Sequence, residues 1–256
     1  MYLNSFNPRM RSDVLPGMYV YISTDKQENF EGVVKDILTE ADYHPDGIRV
    51  KLENDIIGRV KKIEPPHEIA LKKIRATQQL KIDLKYDEND NLEFKGSFQF
   101  DSDKPKYPAK YLQKEVSKTI QAFANAQGGR LYIGIHDKTH EPLGLLGDYS
   151  FLALDKQDGD GFEIHLRSFL QGRFVIGSEI YNSVKVIVFQ YKSQDVCLVE
   201  VESSEDAFVL KKDSSDGFEF HVREGGNSPP KTITEFLKYW PEHLMKLKQK
   251  KLEFWS

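Results

Sequence analysis

The run at residues 122–144, AFANAQGGRLYIGIHDKTHEPLG, leaves this chain few ways to fold. Phe123, Ala124 and Ala126 finish an apolar helical face, and Asn125 with Gly128 and Gly129 predicts a helix stop. Residues 131–135 then read as a short buried strand, apolar and bounded by turn residues. Asp137 falls just past the strand's carboxyl end, where open α/β sheets present their working residues. The glycine pair itself has two readings. One is a Schellman-type cap, the other a turn that receives a phosphate or nucleotide.

Around this run, strands and helices alternate. Residues 92–100 predict a strand after a turn at 88–91, and Pro108 opens a helix reaching about residue 126. A further helix is expected near 161–170, paired strands at 184–191 and 196–201, and a hairpin from 208–210 and 218–222. Thr232 and Glu235 form a capping box for a last helix, followed by a lysine-rich tail within 233–256. That alternation predicts an α/β or α+β domain with a mixed sheet. Upstream, β-rich runs at 18–22, 32–38, 47–52 and 56–63 predict a separate small β-barrel over residues 14–64. Ile48, Val50 and Leu52 share one face there, and Gly58 is the expected bulge. Pro65 and Pro66 resist helix and sheet alike. Residues 65–85 are therefore a linker or short helix, flexible around 65–73 and the first point of proteolytic attack.

Composition excludes several classes. With 39% hydrophobic and 30% charged residues the chain is globular rather than disordered. No apolar run approaches the ~20 residues that span a bilayer, and the N-terminus lacks a signal peptide's apolar core, so no membrane partner and a cytoplasmic location are expected. One cysteine, Cys197, rules out an internal disulfide and reads as a small core residue. A net charge of −4 means that any phosphate binding must come from a local patch.

Glu93 and Lys95, two apart on a predicted strand, share a face and read as an exposed pair. Such a pair suits phosphodiester chemistry, the carboxylate holding a divalent cation and the ammonium steadying charge on the phosphate. Glu88 folds back across the turn towards them, and Asp137 completes a set of three carboxylates whose oxygen ligands suit Mg²⁺ or Mn²⁺. The alternative is a surface ion pair contributing little. Asp83 is a second candidate for the aspartate that precedes E-x-K in PD-(D/E)-x-K nucleases. Lys106, Lys110, Lys114 and Lys118 recur every four residues as a basic stripe, opposite Leu112, Val116, Ile120 and Phe123. The stripe is either a phosphate track or a solvated face. Arg223 either binds phosphate or forms a structural salt bridge.

Three ordered motifs resemble the Schlafen family's AlbA-like domain over residues 86–232: Glu88-x-x-x-x-Glu93-Phe-Lys95, the AFAN-x-x-GG helix end with G-I-x-D at Gly134–Asp137, and Phe220-x-x-Arg223-x-Gly225-x-Ser228. The resemblance implies that Glu88, Glu93 and Asp137 are metal-binding catalytic acids, Lys95 their electrostatic helper, and the activity cleavage of structured RNA such as tRNA or rRNA with Mg²⁺ or Mn²⁺. Some members carry the domain without catalysis, as DNA-, RNA- or ATP-binding modules, and that reading stays open. Animal Schlafen cores hold two such lobes; this chain carries one, which implies a homodimer. The family's Cys/His zinc site has no counterpart in a chain with one cysteine. Residues 14–64 resemble the small YwbE-like family in the run ILT followed by His44-Pro45-x-Gly47-Ile-x-Val. That likeness implies an SH3-like barrel.

Overall fold

The computed structural model describes residues 6–25, 29–64, 68–175, 183–212 and 217–254. The chain divides into two compact units, Met1–Leu80 and Lys81–Ser256.

In the first unit β1 (Tyr19–Ser23), β2 (Asn29–Ile37), β3 (Arg49–Leu52) and β4 (Ile57–Ile63) form a closed antiparallel barrel. Closure leaves no free sheet edge. Alternation decides its interior: Val20, Ile22, Val34, Ile48, Val50, Leu52 and Val60 are buried together. The register breaks fall between Tyr21 and Ile22 and between Val34 and Asp36, not at Gly58. Gly58 is needed for a close crossing instead, because a Cβ there would lie 2.6 Å from the Ser23 carbonyl oxygen. Pro65 and Pro66 lie outside the described residues. Residues 68–73, expected to be flexible, are the first turns of helix α1 (Glu68–Asp83).

The second unit is built on a mixed four-stranded sheet. β5 (Leu92–Lys95) runs parallel to β6 (Gly129–Ile133), with helix α2 (Lys110–Ala124) as the crossover. β8 (Gln194–Val201) pairs antiparallel with β6 and with β7 (Val184–Tyr191), giving the order β5-β6-β8-β7. Short α3 (Leu146–Tyr149) and α4 (Gly159–Arg173) follow β6 in the chain, and Phe162, Leu166 and Leu170 of α4 join the core with Cys197. β9 (Leu210–Lys211) and β10 (Phe218–Glu219) form the expected hairpin. The Thr232–Glu235 capping box opens α5 (Ile233–Phe254), whose Phe236, Tyr239 and Trp240 pack on Ala126, Phe220 and Val222. No helix among the described residues is long and apolar enough to cross a membrane.

β5 stops at Lys95 rather than running to Phe100. The reason is a buried carboxylate: Asp148 accepts from the backbone N–H groups of Phe98 (3.3 Å), Gln99 (2.7 Å) and Phe100 (3.0 Å) and from the Ser97 hydroxyl (2.8 Å). Those donors curl around one side chain, so they are lost to the sheet ladder. Burial pushes the Asp148 carboxyl above its ordinary range, although these four donors oppose the shift.

The glycine pair is a cap and a packing surface. Gly128 has φ +76° and donates its N–H to the Phe123 carbonyl at 2.9 Å, while a Cβ on it would meet the Val201 oxygen at 2.6 Å. A Cβ on Gly129 would lie 2.7 Å from the fully buried Phe123 ring. Gly129→Ala is therefore expected to lose on the order of 1–3 kcal/mol by overpacking, read as a drop of several degrees in Tm by circular dichroism. An unchanged Tm would show that the Phe123 ring yields freely.

Candidate nucleic-acid interface

Four of the residues singled out in the sequence meet at β5. Glu93 is only 6% exposed, so it is no surface carboxylate, and Leu92 and Phe94 beside it are buried as well. One Glu93 oxygen, Oε1, pairs with the Lys95 ammonium. The other, Oε2, lies 2.6 Å from Nη2 of Arg223. The guanidinium's own N–H groups point elsewhere: Nε and Nη2 donate to the Asn89 carbonyl at 3.0 and 2.7 Å, and Nη2 also to Leu92 at 3.2 Å. Oε2 is thus buried against a positive charge without an aligned donor. Arg223 was a candidate phosphate ligand. Its side chain is 2% exposed and lies over the Phe123 ring, so it serves the interior.

Glu88 folds back as expected, its Oε1 accepting from the Phe94 N–H at 2.9 Å. Partial burial raises its carboxyl above the usual range. The Phe94 N–H opposes this, Glu93 adds to it, and the charges of Lys95 and Arg223 oppose it more weakly. Asp137 is more open: its side chain is 52% exposed and its Oδ1 is 3.2 Å from Nδ1 of His136. That nitrogen also accepts from the N–H groups of Lys138 (3.1 Å) and Thr139 (3.3 Å), which ties the ring to the turn after β6. Among the described residues no group of three or more His, Cys, Asp or Glu side chains is arranged to hold a metal ion. With Glu93 already held by two cations, Glu88, Glu93 and Asp137 as folded do not fit a shared Mg²⁺ or Mn²⁺.

Asp83, the alternative acid, is 3% exposed and receives Arg130 Nε at 2.7 Å, Arg130 Nη2 at 2.9 Å and the Tyr132 hydroxyl at 2.8 Å. It fastens the end of α1 to β6. The lysine stripe is only partly available. Lys106 lies in the turn before α2, Lys110 is exposed, Lys114 pairs with Glu219 at 3.2 Å and Lys118 with Glu115 at 2.5 Å. Gly128 and Gly129 are packed too closely to accept a Cβ, and their backbone borders an open cleft of about 490 Å³ together with Arg130, Lys185, Glu200 and Glu202. Sequence reasoning missed the amides on α2. Gln121 Nε2 donates to the carbonyls of Phe208 (2.8 Å) and Glu219 (2.7 Å), and Asn125 Nδ2 to those of Phe208 (2.9 Å) and His221 (3.1 Å). Polar residues four apart on an otherwise apolar helix face were the available signal.

The domain is thus a parallel strand pair bridged by a helix and extended by an antiparallel hairpin, with an acid held between two bases at β5. Residues 88–232 match the family described as "Schlafen, AlbA_2", and the chain belongs to it. Residues 7–63 match "Uncharacterized conserved protein (DUF2196)". Over 61 aligned residues the chain is 38% identical to "Uncharacterized protein YwbE" of Bacillus subtilis (strain 168), covering 22% of this chain and 94% of that protein. Among solved structures, the DIP2311 protein from Corynebacterium diphtheriae is similar over 68% of this chain and 32% of its own, with a TM-score of 0.43 and 18% identity. The N-terminal domain of a RecG-related protein from Nitrosomonas europaea is similar over 62% of this chain and 93% of its own, with a TM-score of 0.38 and 19% identity. The chain thus spans about a third of the length of the first of these structures. Family membership points to a nucleic-acid-related function.

Two outcomes follow from the cluster. Glu93→Ala strands a buried guanidinium and is expected to cost about 3–5 kcal/mol in denaturant unfolding, whereas Glu93→Leu combined with Arg223→Met recovers much of the loss. A stability of Glu93→Ala equal to wild type would contradict the buried pair. For Glu88, a raised folded-state pKa favours folding at pH below the usual glutamate value of about 4.3, an advantage lost as pH rises through the folded value. Glu88→Gln keeps an acceptor for Phe94 and should reduce the fall in stability from acid to neutral pH, followed by unfolding at a series of pH values.

Proposed function

We propose that the chain is a nucleic-acid-binding module whose contacts are made to the phosphate backbone by exposed lysines at the start of α2, and that it acts without a resident metal cluster. The observation that supports this over metal-dependent cleavage is the state of Glu93, a buried carboxylate neutralised by Lys95 and Arg223. A residue so engaged has structural work to do and little freedom to ligate an ion. Lys110, exposed and with no acidic partner among the described residues, is the strongest phosphate candidate on the helix; Lys114 and Lys118 must leave Glu219 and Glu115 first. Structured RNA in the cytoplasm is the favoured target, with a second copy of the chain supplying the opposite basic wall.

A second reading is the metal-dependent endoribonuclease implied for tRNA or rRNA. It is favoured by one observation, the nearness of Glu88 to Glu93, close enough for the Glu93 charge to push the Glu88 carboxyl upward. It requires Glu93 to release at least one of its basic partners.

One experiment separates the two. The chain is mixed with total tRNA in EDTA or in Mn²⁺, and both complex formation and RNA integrity are followed on gels across a salt series. Binding in EDTA with intact RNA is the expected result. RNA cut only in Mn²⁺, and spared by Glu88→Gln, would establish the second reading instead. Lys110→Glu should weaken binding more than Lys118→Glu, and each lost phosphate contact should flatten the slope of log K against log salt by roughly 0.7–0.9. Equal affinities and slopes would make the stripe a solvated face.

A further inference from the structure

The segment running into the first turn of α2 reads DSDKPKYPAKYL over residues 101–112, alternating cations with aromatic rings. Lys104, Lys106 and Lys110 are exposed, and between them Tyr107 is 77% and Tyr111 57% exposed. Both rings are unusually bare for their size, since a tyrosine ring in water forgoes the burial that would stabilise it. Pro105 and Pro108 bracket Lys106 and Tyr107 and restrict the backbone, so the loop presents its side chains with little entropy left to lose. Tyr111 also borders a cleft of about 450 Å³ that opens immediately after Lys95 in the chain, at the carboxyl end of β5. Phe100, Leu112 and Leu143 give the cleft apolar walls, and Ser97 and Asp101 add polar groups. The Tyr111 hydroxyl donates to Oδ2 of Asp101 at 3.2 Å, which sets the direction of the ring.

We infer that this cleft, with Tyr111 at its edge and the exposed Tyr107 on the segment before it, forms a binding site for an unpaired nucleobase, with the adjoining phosphates lying on Lys106 and Lys110. The inference deepens the nucleic-acid-binding reading and rests on it. Charge decides which end of a nucleotide enters. Asp101 and Asp148 both line the cleft and no cationic side chain does, so a phosphate is repelled from it. The lysines stand on the segment outside, where a backbone phosphate is attracted. An aromatic and aliphatic slot accepts the flat apolar face of a base, and stacking on tyrosine tolerates any base. Bases in a duplex are already stacked on their neighbours, so only an unpaired strand, loop or bulge can use the two rings. The site thus specifies single-stranded segments within RNA or DNA, by shape and stacking rather than by sequence.

The test uses the full chain and short fluorescent oligonucleotides of one sequence, as RNA and as DNA, each single-stranded and annealed to its complement. Wild type should bind the single strands more tightly than the duplexes. Tyr107→Ala and Tyr111→Ala should each weaken single-strand binding roughly tenfold while leaving duplex binding unchanged, and Tyr111→Trp should retain it. Loss in the RNA arm, the DNA arm or both supports the site and identifies its ligand. Circular dichroism checks that the variants fold, as replacement of exposed rings predicts. If wild type binds nucleic acid but the alanine variants match it on single strands, the base site is overturned and the phosphate-binding reading survives. If wild type binds neither single strands nor duplexes, both fall together.

Discussion

Arg223 is the residue on which the second unit of this chain converges. Its guanidinium lies against Glu93 of β5, holds the carbonyls of Asn89 and Leu92, and covers the ring of Phe123 from α2. Phe123 in turn is the surface against which Gly129 of β6 packs. Three motifs spread over more than a hundred residues of sequence therefore meet around one planar cation. Burying a guanidinium and a carboxylate costs several kcal/mol per ion. The cost is offset only because the carbonyl acceptors, the carboxylate and the aromatic face are all in place together. Loss of any one strands the rest, which makes the cluster a device for specifying a single arrangement as much as a source of stability.

The polar end of α2 applies the same logic to neutral groups. Gln121 and Asn125 project from the last turns into a site where two returning segments would leave backbone groups without partners. Asn125 Oδ1 receives the Phe208 N–H at 2.8 Å and Gln121 Oε1 that of His221 at 3.1 Å, so each amide acts as donor and acceptor at once. A buried amide satisfied on both sides is tolerated and directional, whereas the same group left open would be destabilising. This is how the 208–222 region is held where Arg223 can reach β5.

The cluster's chemistry also bears on function. At β5 one acid is held between two bases in the interior, and the exposed positive charge lies farther along, on the segment leading into α2. The interior ion pairs organise the strand end. The surface lysines and tyrosines are what a nucleic acid would meet. Separating these roles explains why the most motif-rich residues of the chain are also among its least exposed.

Much of the architecture was legible in the sequence. Local periodicity marked the barrel strands, α2, β6 and the β7–β8 hairpin, and the glycine pair marked the turn, because side-chain period and positive φ are properties of neighbouring residues. The motifs grouped Glu88, Glu93 and Lys95 with Asp137, and left Arg223 open between a phosphate ligand and a structural salt bridge; the partner that Glu93 meets in the fold is Arg223. What sequence could not settle was burial. The period-2 rule placed Glu93 and Lys95 on one face, but whether that face meets water depends on Arg223, 130 residues away, and on the turns that return it. Strand β5 likewise looked longer than it is, because Asp148, in an unremarkable stretch, draws off the amides of residues 98–100. Short-range pattern determines which elements form and which side they turn inward. Only the tertiary structure decides which charges are paid out against each other in the interior and which remain for a ligand, since that balance depends on partners brought close by folding and on the water they exclude.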